Sequence, residues 1–332
     1  MNTLVLVAGG LVETLQATPL LRTLGHSDAL GQVVLAAPPV ALQLGDALAD
    51  AHEVVALEAL SPHSSSAAVM PAYLALRARR LDAALICSAR GRDRLLVYAT
   101  GVARRAAVSG GGLDLLLTDR VSSHDGENQA LAWLRLAGRA AAAVSPRPSF
   151  DPGDWARERA ATLLVGGGLE DGRLLVAVAP GAGFGEPIDG LHGSLLLWDA
   201  ERYAHLCNQL SRRHGAGVVL LGSHEDRFAA DRLLMDLEAP VLDLCGQLEL
   251  REVGAVLGRC DLLVAGDSPL LHLASAVGTP AVGLFGPTDG RRRGPYGAEH
   301  RVVQGVSRSG GPGAAMDRIR VDDVLAGIES SL

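Results

Sequence analysis

Residues 261–297, DLLVAGDSPLLHLASAVGTPAVGLFGPTDGRRRGPYG, constrain the fold more than any other stretch of this 332-residue chain. The apolar run Leu262–Ala265 has the length of a buried strand. Gly266 and Asp267 interrupt it, and Ser268-Pro269 then reads as a helix N-cap followed by the first helical residue. Leu270, Leu271, Ala274 and Val277 share one helical face, Gly278 marks the helix end, and Pro280 lies just beyond. A second apolar run, Ala281–Phe285, ends at Gly286-Pro287. Strand, tight turn, helix and strand in this order make a βαβ unit of a parallel sheet.

The first turn of that helix carries the chemistry. Its peptide N–H groups have no helical partners and sit at the positive end of the helix dipole, a combination that receives phosphate. Asp267 and Ser268 add hydrogen-bonding side chains, and His272 stands one turn further on. Taken singly, each residue is explained by a capped helix with a satisfied histidine. Taken together, the string resembles the signature of glycosyltransferase family nine, the bacterial heptosyltransferases, D-(T/S)-G-x-x-H-x-A-A-x-x-G-x-P-x-V-x-L-F-G-P-T-D. Asp267, Ser268, His272, Leu273, Ala274, Gly278, Thr279, Pro280, Val282, Leu284, Phe285, Gly286, Pro287, Thr288 and Asp289 fall in register, and Gly294-Pro295-Tyr296-Gly297 extends the match. The resemblance implies that the Asp267-Ser268 turn and His272 bind the diphosphate of a nucleotide-sugar. Pro269 stands where the family has glycine and removes one N–H from the turn.

Length favours two domains. The core must be built from Leu, Val and Ala, because aromatic residues make up only 3% of a chain that is 48% hydrophobic. The 40 glycines are scattered between apolar runs, as many βα turns require. Lysine does not occur; all 30 basic residues are arginine, so no lysine serves as phosphate ligand, base or Schiff-base former. A net charge of −7 argues against a nucleic-acid partner. Cys87, Cys207, Cys245 and Cys260 lack the spacing of a disulfide framework or a zinc site. There is no Asp-x-Asp motif for a metal-bridged diphosphate and no long apolar stretch, so a cytoplasmic, metal-free and cofactor-free protein is expected.

Further matches are looser. Leu4–Ala8, Gly9-Gly10 and a helix through Leu24 form a first βα turn, in which Thr18-Pro19-Leu20-Leu21-Arg22 and Leu24 fit the family and Val12-Glu13 replaces its Gly-Asp. Glu13 thus occupies the place of the family's proposed catalytic base; an acidic residue near a helix N-terminus is the ordinary alternative. Helices are expected at 40–48, 72–80 and 129–137, and Ser61–Ser66 as a mobile loop. The Pro-rich run 146–153 sets the expected boundary between an N-terminal acceptor domain, 1–150, and a C-terminal donor domain, 151–318. Residues 319–332 are expected to form a helix packing back across the junction. Gly181, Ala182 and Gly183 correspond to the family's donor-binding turn. Asp226 suits ribose hydroxyls, and Leu248 lies in a segment that resembles the one lining the nucleotide base in the family. Leu196 stands where the family has lysine, so arginine is the remaining cation for the phosphates, and Arg291, Arg292 and Arg293 are the candidates.

The resemblance implies an α/β protein of GT-B architecture, two Rossmann-like parallel-sheet domains facing across a cleft. It implies an inverting, metal-independent transfer of a heptose-like sugar from an ADP-linked or other nucleoside-diphosphate sugar to a glycan, lipid-linked or small-molecule hydroxyl. The setting would be lipopolysaccharide or cell-surface glycan biosynthesis, peripheral to the inner membrane. Two alternatives stay open: a nucleotide-sugar-binding relative with impaired catalysis, and a sugar-nucleotide epimerase.

Overall fold

Each apolar run becomes a strand, and the helices between them return the chain so that every strand pair is parallel. The computed structural model describes residues 2–26, 31–122, 124–143, 145, 147–169, 172–181, 193–305 and 312–329. The chain divides into two units, Met1–Ser149 and Phe150–Leu332.

The first unit runs β1 (Asn2–Val7), α1 (Leu11–Gly25), β2 (Gln32–Ala37), β3 (Glu53–Ala56), α2 (Val69–Arg77), β4 (Ala83–Cys87), α3 (Gly91–Ala99), β5 (Arg104–Val108), β6 (Asp119–Val121) and α4 (Gln129–Leu134). Its sheet has the order β3-β2-β1-β4-β5-β6. Leu4, Leu6, Val34, Ala84 and Ile86 of the sheet meet Ala72 and Leu76 of α2 and Leu96 and Val97 of α3 in one core.

The second unit runs α5 (Asp154–Gly166), β7 (Leu175–Ala179), α6 (Ala200–His214), β8 (Gly217–Leu220), α7 (Arg227–Met235), β9 (Val241–Asp243), α8 (Leu250–Leu257), β10 (Leu262–Gly266), α9 (Pro269–Val277), β11 (Ala281–Phe285), α10 (Gly290–Arg293), β12 (Arg301–Gln304) and α11 (Val321–Glu329). Its sheet order, β12-β11-β10-β7-β8-β9, repeats the topology of the first. In both sheets the chain moves outward from the first strand and then crosses to its other side. The reversal falls between β1 and β4 and between β7 and β10, where open parallel sheets bind ligands at the carboxyl ends of their strands.

The terminal helix α11, expected to pack back across the junction, lies in the second unit against α6, β11 and β12, with Val324, Leu325 and Ile328 in that unit's core. The helix expected over 40–48 is instead a pair of 3₁₀ segments broken at Gly45, whose φ of 50° no helix accepts. The helix expected over 129–137 is α only to Leu134 and continues as 3₁₀ turns kinked at Gly138. The Ser61–Ser66 loop is tied down: the Arg90 and Arg92 guanidinium groups donate to the carbonyls of Ala59, Leu60 and Ser61 at 2.9–3.1 Å.

Candidate functional site

The switch point of the second sheet gathers most of the residues singled out by the sequence. Strand β10 ends in Gly266 and delivers Asp267 and Ser268 to the mouth of α9. The Ser268 N-cap is extended (φ −146°, ψ 160°) and Pro269 opens the helix, but the serine side chain caps no helical N–H. Tyr203, buried beneath this turn, hydrogen-bonds to the Gly266 backbone. It packs edge-on against Trp198 at 4.8 Å between ring centroids, and the Trp198 indole donates to the Ile319 carbonyl at 2.9 Å. Strand end and helix mouth are therefore held from below.

Asp267, Ser268 and His272 are all buried, as is Thr288 in the turn that follows the neighbouring strand β11. Asp267 Oδ1, Ser268 Oγ, His272 Nε2 and Thr288 Oγ1 have no hydrogen-bond partner among the described residues. Leaving one buried polar atom unmet costs roughly 1–3 kcal/mol, so four beyond the carboxyl ends of the adjacent strands β10 and β11 mark a place prepared for a polar ligand. The second Asp267 oxygen accepts from Arg293 Nε at 2.9 Å. Of the three candidate arginines, then, Arg293 reaches the site; Arg291 and Arg292 point to solvent. The short helix α10, capped by the Asp289 side chain accepting from the Arg291 N–H at 3.0 Å, makes this selection.

Burial, and next the Arg293 charge, hold the His272 imidazole down to about 3, while its hydrogen bond to the Arg293 backbone acts the other way. The ring is neutral at pH 7, with that bond fixing the tautomer and Nε2 left as an acceptor. The unfolded chain takes up this proton at a higher pH than the fold does. The contribution of the neutral ring is thus complete above pH 6.5 and is lost as pH falls toward about 3. We expect His272→Gln to flatten the dependence of unfolding free energy on pH across that window, measured by denaturant titration.

Gly181, at the end of β7, lies against Asp226: a methyl group there would overlap the carboxylate. Asp226 Oδ2 accepts from the Ser223 N–H and hydroxyl, both at 2.7 Å, closing the turn after β8. Gly181 and Asp226 are thus brought together, whereas Glu225 is exposed. Leu248 is half-buried at the β9–α8 turn, two strands along from Gly181. Ala182 and Gly183 lie outside the described residues. Leu196, in the lysine position, is buried, and its backbone oxygen faces Gly266, so the segment serves as packing.

In the first unit, Glu13 stands at the mouth of α1, at the end of β1. Its Oε2 accepts from the Gly10 N–H at 2.8 Å, which makes it a helix cap whatever else it does.

Gln304 was not singled out by the sequence. From β12 its amide donates to the carbonyls of Phe285, Gly286 and Thr288, each at 3.0 Å, and its oxygen accepts from the Gly290 N–H at 3.0 Å. It fixes the FGPTD turn. No motif announces it, since its role follows from the pairing of β12 with β11.

The family model for glycosyltransferase family 9 (heptosyltransferase) matches residues 194–316, the stretch that contains this site. Lipopolysaccharide heptosyltransferase 2 of Salmonella typhimurium is 28% identical over 269 residues, covering 77% of this chain and 72% of that protein. The chain is thus similar to glycosyltransferase family 9 through residues 194–316. Among solved structures, this chain superposes on E. coli ADP-heptose lps heptosyltransferase II with a TM-score of 0.74 at 22% identity, covering 100% of this chain and 98% of that one. A glycosyl transferase family 9 structure from Veillonella parvula gives 0.78 at 17% identity, covering 99% and 96%. These likenesses show the fold, GT-B with two Rossmann-like units. Replacing Ser268 with alanine should weaken nucleoside diphosphate binding by about 1–3 kcal/mol, whereas His272→Ala, which removes a neutral acceptor, should weaken binding of the sugar-bearing donor and leave the free nucleoside diphosphate unaffected. Calorimetry giving wild-type diphosphate affinity for Ser268→Ala would remove the diphosphate from this helix mouth.

Proposed function

We propose that this glycosyltransferase moves a heptose-like sugar, with inversion and without a metal or other cofactor, from ADP-heptose or a close analogue to a hydroxyl of a lipopolysaccharide-type acceptor. The observation that carries the reading is the set of four unpartnered buried polar atoms beside the Asp267–Arg293 ion pair. The relatives' names supply the choice of sugar and acceptor. The second unit would hold the donor and the first the acceptor.

In the reaction Glu13 takes the acceptor proton, the freed oxygen bonds to the anomeric carbon, and the bond from that carbon to the phosphate oxygen breaks. Oxocarbenium character develops on the sugar, as in glycoside chemistry generally. The leaving diphosphate is met by the Arg293 guanidinium, the Ser268 hydroxyl and the α9 dipole. Neutral His272 offers Nε2 to a donor hydroxyl. Gly181 leaves room for close approach beside Asp226, which is suited to the ribose. The site of action is the cytoplasmic face of the inner membrane, with peripheral attachment.

The departures from the family pattern favour one rival, a binding protein with impaired catalysis: Glu13 is engaged by Gly10 and Leu196 is buried. Incubation with ADP-heptose, with and without acceptor, separates the two. Transfer gives ADP release that depends on acceptor. Calorimetric binding of ADP-heptose with no release would establish the rival.

A further inference from the structure

One face of the first unit is unlike an ordinary protein surface. Helices α2 and α3 pack against each other and seat Ala72, Leu76, Leu96 and Val97 in the core. Their outer sides should then be polar. Instead Met70 and Leu74 on α2 are 62% and 58% exposed, Leu95 and Tyr98 on α3 are 50% exposed, and Leu115 in the adjoining 114–116 turn is 74% exposed. Clustered exposure of this kind marks an interaction surface.

The charge around these residues is basic although the chain is not. Residues 69–105 hold eight arginines against Asp82 and Asp93, in a chain of net charge −7. Asp93 is buried, which leaves Asp82 as the exposed acid of this segment, while Arg77, Arg80, Arg92 and Arg104 are exposed. Carboxylates from other elements offset three of the eight: Glu53 pairs with Arg79, Asp119 with Arg104, and Asp114 with the buried Arg94. The balance stays positive. Two guanidinium groups border the aromatic rings, Arg77 at 5.9 Å from the Tyr73 centroid and Arg105 at 5.3 Å from that of Tyr98.

We infer that the α2–α3 face docks the protein on an anionic phospholipid bilayer. Exposed apolar side chains interspersed with arginine in one segment suit the boundary between headgroups and acyl chains: the first enter it, the second meet lipid phosphates. No described helix is long and apolar enough to cross a membrane, so the attachment is to its surface. A two-fold dimer through this face would set basic surface against basic surface, which disfavours a second copy as occupant. The inference deepens the membrane part of the proposed function and rests on none of its donor chemistry, so either can fail alone.

The test is flotation of the whole chain with phosphatidylcholine vesicles, with and without phosphatidylglycerol, at low and high salt. The expected result is binding to the anionic vesicles only, reversed by salt. Met70→Asp and Leu74→Asp should each lower the partition coefficient about tenfold or more, with unfolding midpoints and ADP affinity unchanged because both positions are exposed. Equal flotation of wild type and both variants, or binding to neutral vesicles alone, overturns the inference. So does a wild-type chain that ignores anionic vesicles at low salt. If the same substitutions instead dissolve a dimer in sedimentation without lipid, the face belongs to a second copy.

Discussion

Glu13→Gln should cut turnover by about 10²–10⁴-fold while leaving the unfolding midpoint where it is. The two effects separate because glutamine serves as well as glutamate at the third position of a capping box, so the bond from the Gly10 N–H, 2.8 Å in the wild type, survives. What the substitution removes is the ability to accept a proton, and general-base catalysis contributes on that scale. Glu13→Ala is the informative contrast, since it should lose both turnover and about 1 kcal/mol of stability through the missing cap. A Glu13→Gln enzyme with wild-type turnover would reduce Glu13 to its structural role and remove the proposed base.

Arg293→Ala should destabilise the second unit by about 3 kcal/mol at neutral pH, because it leaves the buried Asp267 carboxylate without its cation. The lower end of the usual range applies, since the Arg293 side chain keeps 19% exposure while Asp267 keeps 2%. Adding Asp267→Asn to the variant should recover most of the loss, and the double-mutant cycle read by denaturant unfolding measures the pair. Donor affinity gives an independent readout: it should fall in Arg293→Ala and recover only in part in Arg293→Lys, because an ammonium cannot grip phosphate with two parallel N–H bonds. Arg291→Ala and Arg292→Ala, both at exposed positions, should change neither quantity. Equal effects from all three would show a general basic field rather than one placed side chain.

These sites differ in how far the amino-acid order revealed them. The βαβ unit over 261–285 was legible because every level agreed: two apolar runs, a helix with Pro at its first position, and a glycine stop at Gly278, where φ is 93°. The Asp267-Ser268 turn and His272 were legible through the same string. The edge strands β6 and β12 were not, because they are only three and four residues long and half-exposed, so neither shows an apolar run. Residues 39–48 carry the hydrophobic content of a helix, but Pro39 and Gly45 impose backbone angles that periodicity does not register. The choice of Arg293 from three adjacent arginines depended on the phase of α10 against β10, a tertiary fact. The same holds for Arg94, which reads as surface charge in sequence. In the fold it is wholly buried, donating to the carbonyls of Gly112 and Val108 at 3.1 and 3.0 Å beside Asp114.

The Gln304 amide reverses the usual standing of an edge strand. Strands at the margin of a sheet are ordinarily its most expendable members, free to fray or to shift by a residue at small cost. Here Phe285 is opposite Gln304 in the β11–β12 ladder. A slip of one residue would turn that side chain to the other face of the sheet. The carbonyls of Phe285, Gly286 and Thr288 would then be released in a single step. Insertions and deletions between residues 298 and 303 therefore act on the ligand-binding turn although they fall outside it. Over evolutionary time, this margin of the sheet should keep its length while its exposed side chains drift.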